Sequence, residues 1–271
     1  MKCINTQKGF TLVELAIVMT IIGLLIGGIL KGQELMDNAK VSATVAQEKG
    51  YEAATTTFRD TYNSFPGDVP NANGRIPGCD GTTYKCNVPV ATAGDYIIGS
   101  QTWGTTFPVQ GTAAGYASGA ATQADEPQMF WMHLLKANLI TGVTDSSLLA
   151  ATQVGWAVTH PEAKMGGGFI AGYANGTPGP GSVGLAGTGV SGTVLVIEAL
   201  PLTALTTTAN VQAMTPTRAA QIDRKLDDGK PATGFVQAYG VAATCFTSAA
   251  ANSYNEAVNT KDCGLILRIQ N

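Results

Sequence analysis

The chain is poor in charge, in histidine and in paired metal-ligand motifs, and each shortage removes a class of function. Charged residues make up 13% of its 271 positions, with 16 basic against 19 acidic side chains. Loss of Lys2 and Lys8 with a leader would tilt that balance further toward acid. Binding nucleic acid through a basic patch is therefore excluded as a reading. There are two histidines, His133 and His160, in unrelated surroundings, and no Ser or Cys sits in a GxSxG-type nucleophile motif, so no hydrolase can be assembled. The glycine-rich stretch from Asn175 to Gly192 lacks the Gly-Lys-Ser/Thr ending of a phosphate-binding loop. None of the five cysteines, at 3, 79, 86, 245 and 263, forms a CxxC pair or a Cys/His zinc pattern.

What is present is concentrated at the start. Phe10 to Leu30 reads FTLVELAIVMTIIGLLIGGIL, an apolar run with one ionisable group. As a helix it is long enough to cross roughly 30 Å of hydrocarbon. A secretory signal would carry a shorter apolar core and a small-x-small cleavage site. Lys2 and Lys8 precede the span, which predicts a cytoplasmic N-terminus and a translocated remainder. No proline interrupts the span; Gly23, Gly27, Gly28 and Gly32 form two small-xxx-small pairs. Local melting of the helix, close helix packing and the plain abundance of glycine in membrane helices all remain open. Glu14 is costly in such a span and calls for a partner in an assembled state, or for a position at the interface from which it reaches water.

Lys8-Gly9-Phe10-Thr11-Leu12-Val13-Glu14 closely resembles the cleavage and methylation signature of type IV prepilins and type II secretion pseudopilins. The resemblance implies a leader of residues 1–9 removed behind Gly9 and an N-methylated N-terminus at Phe10. It also implies an assembly role for Glu14, pairing with the Phe10 ammonium of a neighbouring subunit. The implied partners are further copies or related pilins in a helical filament, a prepilin peptidase that also methylates, and the inner-membrane assembly machinery. The implied location is the bacterial inner membrane, with a cytoplasmic N-terminus and the bulk periplasmic, and then a surface or periplasmic filament. The expected function is that of a non-enzymatic structural subunit of a type IV pilus-like filament serving adhesion, motility or DNA uptake. A type II secretion pseudopilin is the alternative within the family. A membrane-anchored binding protein that never polymerises is the alternative outside it.

Beyond the span, Leu35, Ala39, Ser42, Ala43, Ala46, Gly50, Ala53, Ala54 and Phe58 recur at helical spacing. They predict one helix over 10–62, membrane-spanning over about 10–30 and ended by Ser64-Phe65-Pro66-Gly67. Its small, apolar stripe is expected to lie against the sheet of a globular region, residues 63–271. The fold class is α+β: a long N-terminal helix packed on an antiparallel β-sheet, with a pilin-like layout.

An irregular stretch with a few short strands is expected up to Gln123. A helix opened by Asp125-Glu126-Pro127 should run through Ile140 to Gly142, and a second should run from Thr215-Pro216 to Gly229. Strands are expected over 168–173, 193–200, 234–241 and 265–269. Removal of Cys3 with the leader leaves four cysteines, an even number that suits an oxidising compartment. Of the three pairings, the sequence-local one joins Cys79 to Cys86 and Cys245 to Cys263, the latter bounding a C-terminal region as in many pilins.

Three further stretches resemble a larger subgroup of prepilin-like proteins: Phe65-Pro66-Gly67-Asp68, His133 to Ile140, and Ile222 to Gly229. In the last, Asp227 and Asp228 fall at a helix C-terminus, where the macrodipole disfavours negative charge. Lys225, Lys230 or backbone amides could compensate them. Some pseudopilins carry calcium in this general region, which would make Asp223, Asp227 and Asp228 its ligands here, without EF-hand spacing. No other cofactor is expected. Trp103, Trp131 and Trp156 read as core aromatics before they read as a carbohydrate-stacking surface.

Overall fold

The computed structural model describes residues 9–79, 93–99, 126–144, 155–176, 189–200, 209–247 and 252–269. The chain divides into two compact units, Met1–Lys40 and Val41–Asn271.

In the first unit, α1 (Leu12–Tyr62) begins. Every side chain from Thr11 to Met36 is exposed, and the helix is long and apolar enough to span a membrane. An uninterrupted helix suits that environment because it satisfies its own backbone where no water can. The glycines do not break it, and a Cβ added at Gly23, Gly27, Gly28 or Gly32 would meet no atom within 4 Å.

In the second unit, the outer part of α1 buries Val41, Thr44, Glu48, Ala54, Thr55 and Phe58. Tyr51 lies along the same face, its ring edge-on to Trp131 at 5.1 Å and to Phe169 at 5.2 Å. This corrects the expected face. Leu35, Ala39, Ser42, Ala46, Gly50 and Ala53 are exposed, and of the anticipated stripe Ala54 and Phe58 are the buried members. Two stripes with helical spacing compete on this helix, and the one carrying Tyr51 and Phe58 removes more apolar area from water.

Four strands form an antiparallel sheet in the order β1-β2-β4-β3: β1 (Gly168–Asn175), β2 (Ser191–Glu198), β3 (Val236–Gly240) and β4 (Cys263–Arg268). β1 and β2 pair along their whole length, from Gly168 opposite Glu198 to Asn175 opposite Ser191. Alternation sends Phe169, Ala171, Leu195, Ile197, Val236, Ala238, Leu265 and Leu267 into the main core. Ile170, Val194, Val196, Tyr239 and Ile266 form a smaller cluster on the other face, with Trp156 against it. Burial on both faces explains why Val194 to Ile197 reads as a continuous apolar run.

Three further helices complete the described structure: α2 (Ala72–Arg75), α3 (Glu126–Lys136) and α4 (Pro216–Leu226). The Asp125 cap lies outside the described residues, as does most of the Asn175–Gly192 loop. α3 stops short of Gly142 because Asn138 takes a left-handed conformation (φ 57°) and the Leu139 N–H turns back to the Leu134 carbonyl at 3.0 Å. Among the described residues between 67 and 123 there is no strand; α2 is the one element there. Cys245 and Cys263 are joined by a disulfide with Cα atoms 5.1 Å apart, tying the 241–246 turn to the start of β4. Cys79 is buried and disulfide-bonded, and its expected partner Cys86 lies outside the described residues.

Candidate functional site

At the N-terminus, Gly9, Phe10 and Thr11 precede the helix in non-helical backbone, and all three are exposed. Thr11 is the N-cap: its carbonyl takes the first helical bond, from Leu15 N at 3.2 Å. Its hydroxyl accepts from Glu14 N at 3.2 Å. Glu14 Oε2 accepts in return from both Thr11 N and Thr11 Oγ1, each at 2.9 Å. This reciprocal arrangement is a capping box, legible in the sequence as Thr-x-x-Glu. Glu14 therefore spends one oxygen, Oε2, on starting its own helix. The sequence-level assignment gave Glu14 an intermolecular role and overlooked this local one.

The three thinly matching stretches occupy two joints of the second unit. In the first, Gly67 N donates to His133 Nδ1 at 2.9 Å, and the His133 ring stacks on Phe58 at 6.1 Å. An accepting Nδ1 places the imidazole proton on Nε2. Gly67 has φ +89°, and a Cβ there would lie 2.5 Å from the Glu126 carbonyl, so only glycine admits this approach of α3. The neighbouring Asp68 carboxylate accepts from the Gly94 and Tyr96 amides, and Ser64 Oγ donates to the Asp68 carbonyl at 2.6 Å. His133 thus joins α1, the Phe65–Asp68 turn and α3.

In the second joint, Asp223, Asp227 and Asp228 come together at the end of α4, one oxygen of each within 4.8 Å of the others. Asp223 accepts from Tyr254 OH at 2.8 Å and Gly229 N at 3.2 Å. Asp227 Oδ2 accepts from Phe235 N at 2.5 Å and Val236 N at 3.1 Å. Asp228 accepts from Lys230 N at 2.9 Å and Thr233 Oγ1 at 2.6 Å. The compensation comes from amides and hydroxyls; the Lys225 ammonium goes to Ser42 Oγ on α1, at 2.8 Å. Burial, reinforced by the adjacent aspartates, pushes the Asp223 carboxyl up to about 7 against the pull of its Tyr254 and Gly229 hydrogen bonds. Calcium takes six to eight oxygens, and three carboxylates are gathered here, several of whose oxygens also accept from the chain's own donors. These residues cap the turn into β3, and the same three carboxylates are the ones that would hold a cation there.

The remaining candidates belong to the core. His160 is buried, with Nδ1 2.8 Å from Thr159 Oγ1, and burial pushes its pKa down to about 3. Trp131 is fully buried and Trp156 donates to the Ala199 carbonyl at 2.8 Å, while Trp103 lies outside the described residues. Trp156 is partly buried, packed against the smaller cluster.

Residues 4–30 match the family model of the prokaryotic N-terminal methylation motif, the prepilin-type signature of type IV pilins and pseudopilins. No curated protein and no solved structure matches the chain. The motif supports a type IV pilin-like or pseudopilin precursor. It points to a structural subunit, and with the apolar helix it suggests anchoring in a membrane before assembly.

Proposed function

We propose that this chain is a structural subunit of a type IV pilus-like filament, cut behind Gly9, methylated on Phe10 and assembled through α1. One observation carries the reading: the methylation motif sits at the mouth of an exposed apolar span, Phe10 to Leu30, whose single carboxylate is Glu14. An ammonium on Phe10 and the Glu14 carboxylate of a neighbour would satisfy each other inside a bundle of such helices, where either alone is costly. The outward stripe Ala46, Gly50, Ala53 supports the same packing farther out, because small side chains let helices approach closely. Repetition of one heterologous contact builds an open helical fibre.

A pseudopilus of a type II secretion system would use the same contacts, and an anchored binding protein would use none of them. N-terminal sequencing and intact mass of the mature chain test the processing: the expected product starts at methylphenylalanine 10. A mature chain that keeps Met1, or one trimmed behind the apolar segment, refutes the reading. Imaging filaments on cells with and without the gene separates a surface pilus from a periplasmic pseudopilus.

A further inference from the structure

The buried face of the outer α1 carries one acid, and its surroundings do not suit an ion. Glu48 is 2% exposed, between Thr44 and Thr55 on the stripe that meets the core. Its Oε2 is shielded from solvent and has no hydrogen-bond partner. The nearest cation is Lys49, whose Nζ stands 3.6 Å away. That ammonium is shared, lying closer to Glu52, at 2.8 Å, and 5.6 Å above the Phe235 ring. A carboxylate in this position would be a buried charge without a donor for one oxygen, whereas a neutral carboxyl leaves only a polar group to accommodate.

We propose that Glu48 makes the seating of α1 on the core proton-dependent: the helix is held firmly while Glu48 is neutral, and loss of the proton loosens the segment around it. The groups bordering this seat are named element by element. α1 brings Lys49 and Glu52. α4 brings Lys225, which is bonded to Ser42. The 161–165 loop brings Glu162 and Lys164, which meet Gln47 through a backbone carbonyl at 3.0 Å and a backbone amide at 3.1 Å. The turn into β3 brings Asp227, occupied by the Phe235 and Val236 amides. α3 brings His133, bonded to Gly67. Of these groups Lys49 reaches Glu48, at 3.6 Å, and its charge offsets part of the burial while Glu52 acts with the burial. Burial accordingly holds its carboxyl up to about 7, so the transition falls between mildly acidic and neutral pH. The device does not depend on whether the chain is processed or polymerises.

The test is amide hydrogen exchange of the full chain in detergent micelles, comparing wild type with Glu48→Gln at the same pH so that intrinsic exchange cancels. At pH 8 the peptide covering 44–55 should exchange about tenfold or more faster in wild type than in the variant, since each unit of pKa displacement corresponds to a factor of ten. At pH 5 the two should agree within about twofold, and the β2 peptide should match at both pH values. Equal rates at pH 8, or faster exchange in Glu48→Gln, overturn the proposal. Glu48→Met provides a second neutral side chain of similar length. If neither variant folds at pH 5, a neutral group is not what the seat requires, and the proposal falls.

Discussion

At the residue scale, Glu14 has two separable tasks. Its Oε2 closes the capping box with Thr11, and on the proposed function its charge meets a neighbour's ammonium. Glu14→Ala removes both, while Glu14→Gln keeps an acceptor that a capping box tolerates and loses only the charge. Both variants should still insert in the membrane, because each makes the span less costly. Both should yield far less filament, since a buried ammonium stranded without its carboxylate costs about 3 to 5 kcal/mol per subunit. Helix fraying at residues 11–15, followed by exchange or NMR in micelles, should increase in Glu14→Ala and not in Glu14→Gln. Wild-type filament yield from Glu14→Ala as the sole subunit would show that polymerisation rests on apolar packing alone.

Gly234 offers a second test at this scale. It has φ +82°, and a Cβ there would fall within the Asp227 carboxylate. Gly234→Ala should destabilise a head fragment beginning near residue 35 by about 2 to 5 kcal/mol, combining left-handed strain with unpaired Phe235 and Val236 amides. Gly192→Ala makes the matched control. It shares a positive φ, +105°, but its Cβ would meet nothing within 4 Å, so about 1 to 2 kcal/mol is expected. Equal denaturant midpoints for the two variants would show that Asp227 does not lock the turn.

At the scale of the element, α1 separates two faces that the sequence alone could not rank. The face with Tyr51 and Phe58 is used within the chain, and the face with Ala46, Gly50 and Ala53 is left outward. Gly50→Leu should therefore leave folding unharmed, or improve it by about 0.5 to 1 kcal/mol through helix propensity. It should depress filament yield by holding neighbouring helices apart. Unchanged thermal unfolding together with lost filaments is the expected pair of results; a destabilised fold would mean that the outward face is not free. Helix ends were less legible than helices. The apolar pattern runs on through Ile140, which is buried, but Asn138 has already turned the chain out of α3.

At the scale of the whole molecule, three carboxyls share one trend. Burial holds Asp68 at about 6, and Asp223 and Glu48 at about 7. The folded chain thus retains these protons to higher pH than the unfolded chain, so rising pH costs stability across the interval between the two sets of values. The contribution of these groups to the thermal midpoint should be full below about pH 4, fall as pH rises to about 7 and level off above it. Differential scanning calorimetry of wild type and Asp223→Asn checks this, with a shallower fall expected in the variant. A midpoint that rises from pH 5 to 8 would contradict the burial of all three groups.

The sequence by itself determined the features that depend on local chemistry: the apolar span, the methylation signature with Gly9, Phe10 and Glu14, the long helix reaching Tyr62, and the apolar strand cores. Each follows from composition or spacing within one segment, where hydrophobic period and backbone preference act without help from the rest of the chain. Only the tertiary structure decided which face of α1 is buried, and it brought the Phe65–Asp68 turn against His133. It also showed that Asp223, Asp227 and Asp228 accept from amides and hydroxyls, and it placed Glu48 in the core between the polar Gln47 and Lys49. Those outcomes depend on which distant groups arrive to cover or to hydrogen-bond a side chain, and that is set by packing between segments far apart in sequence.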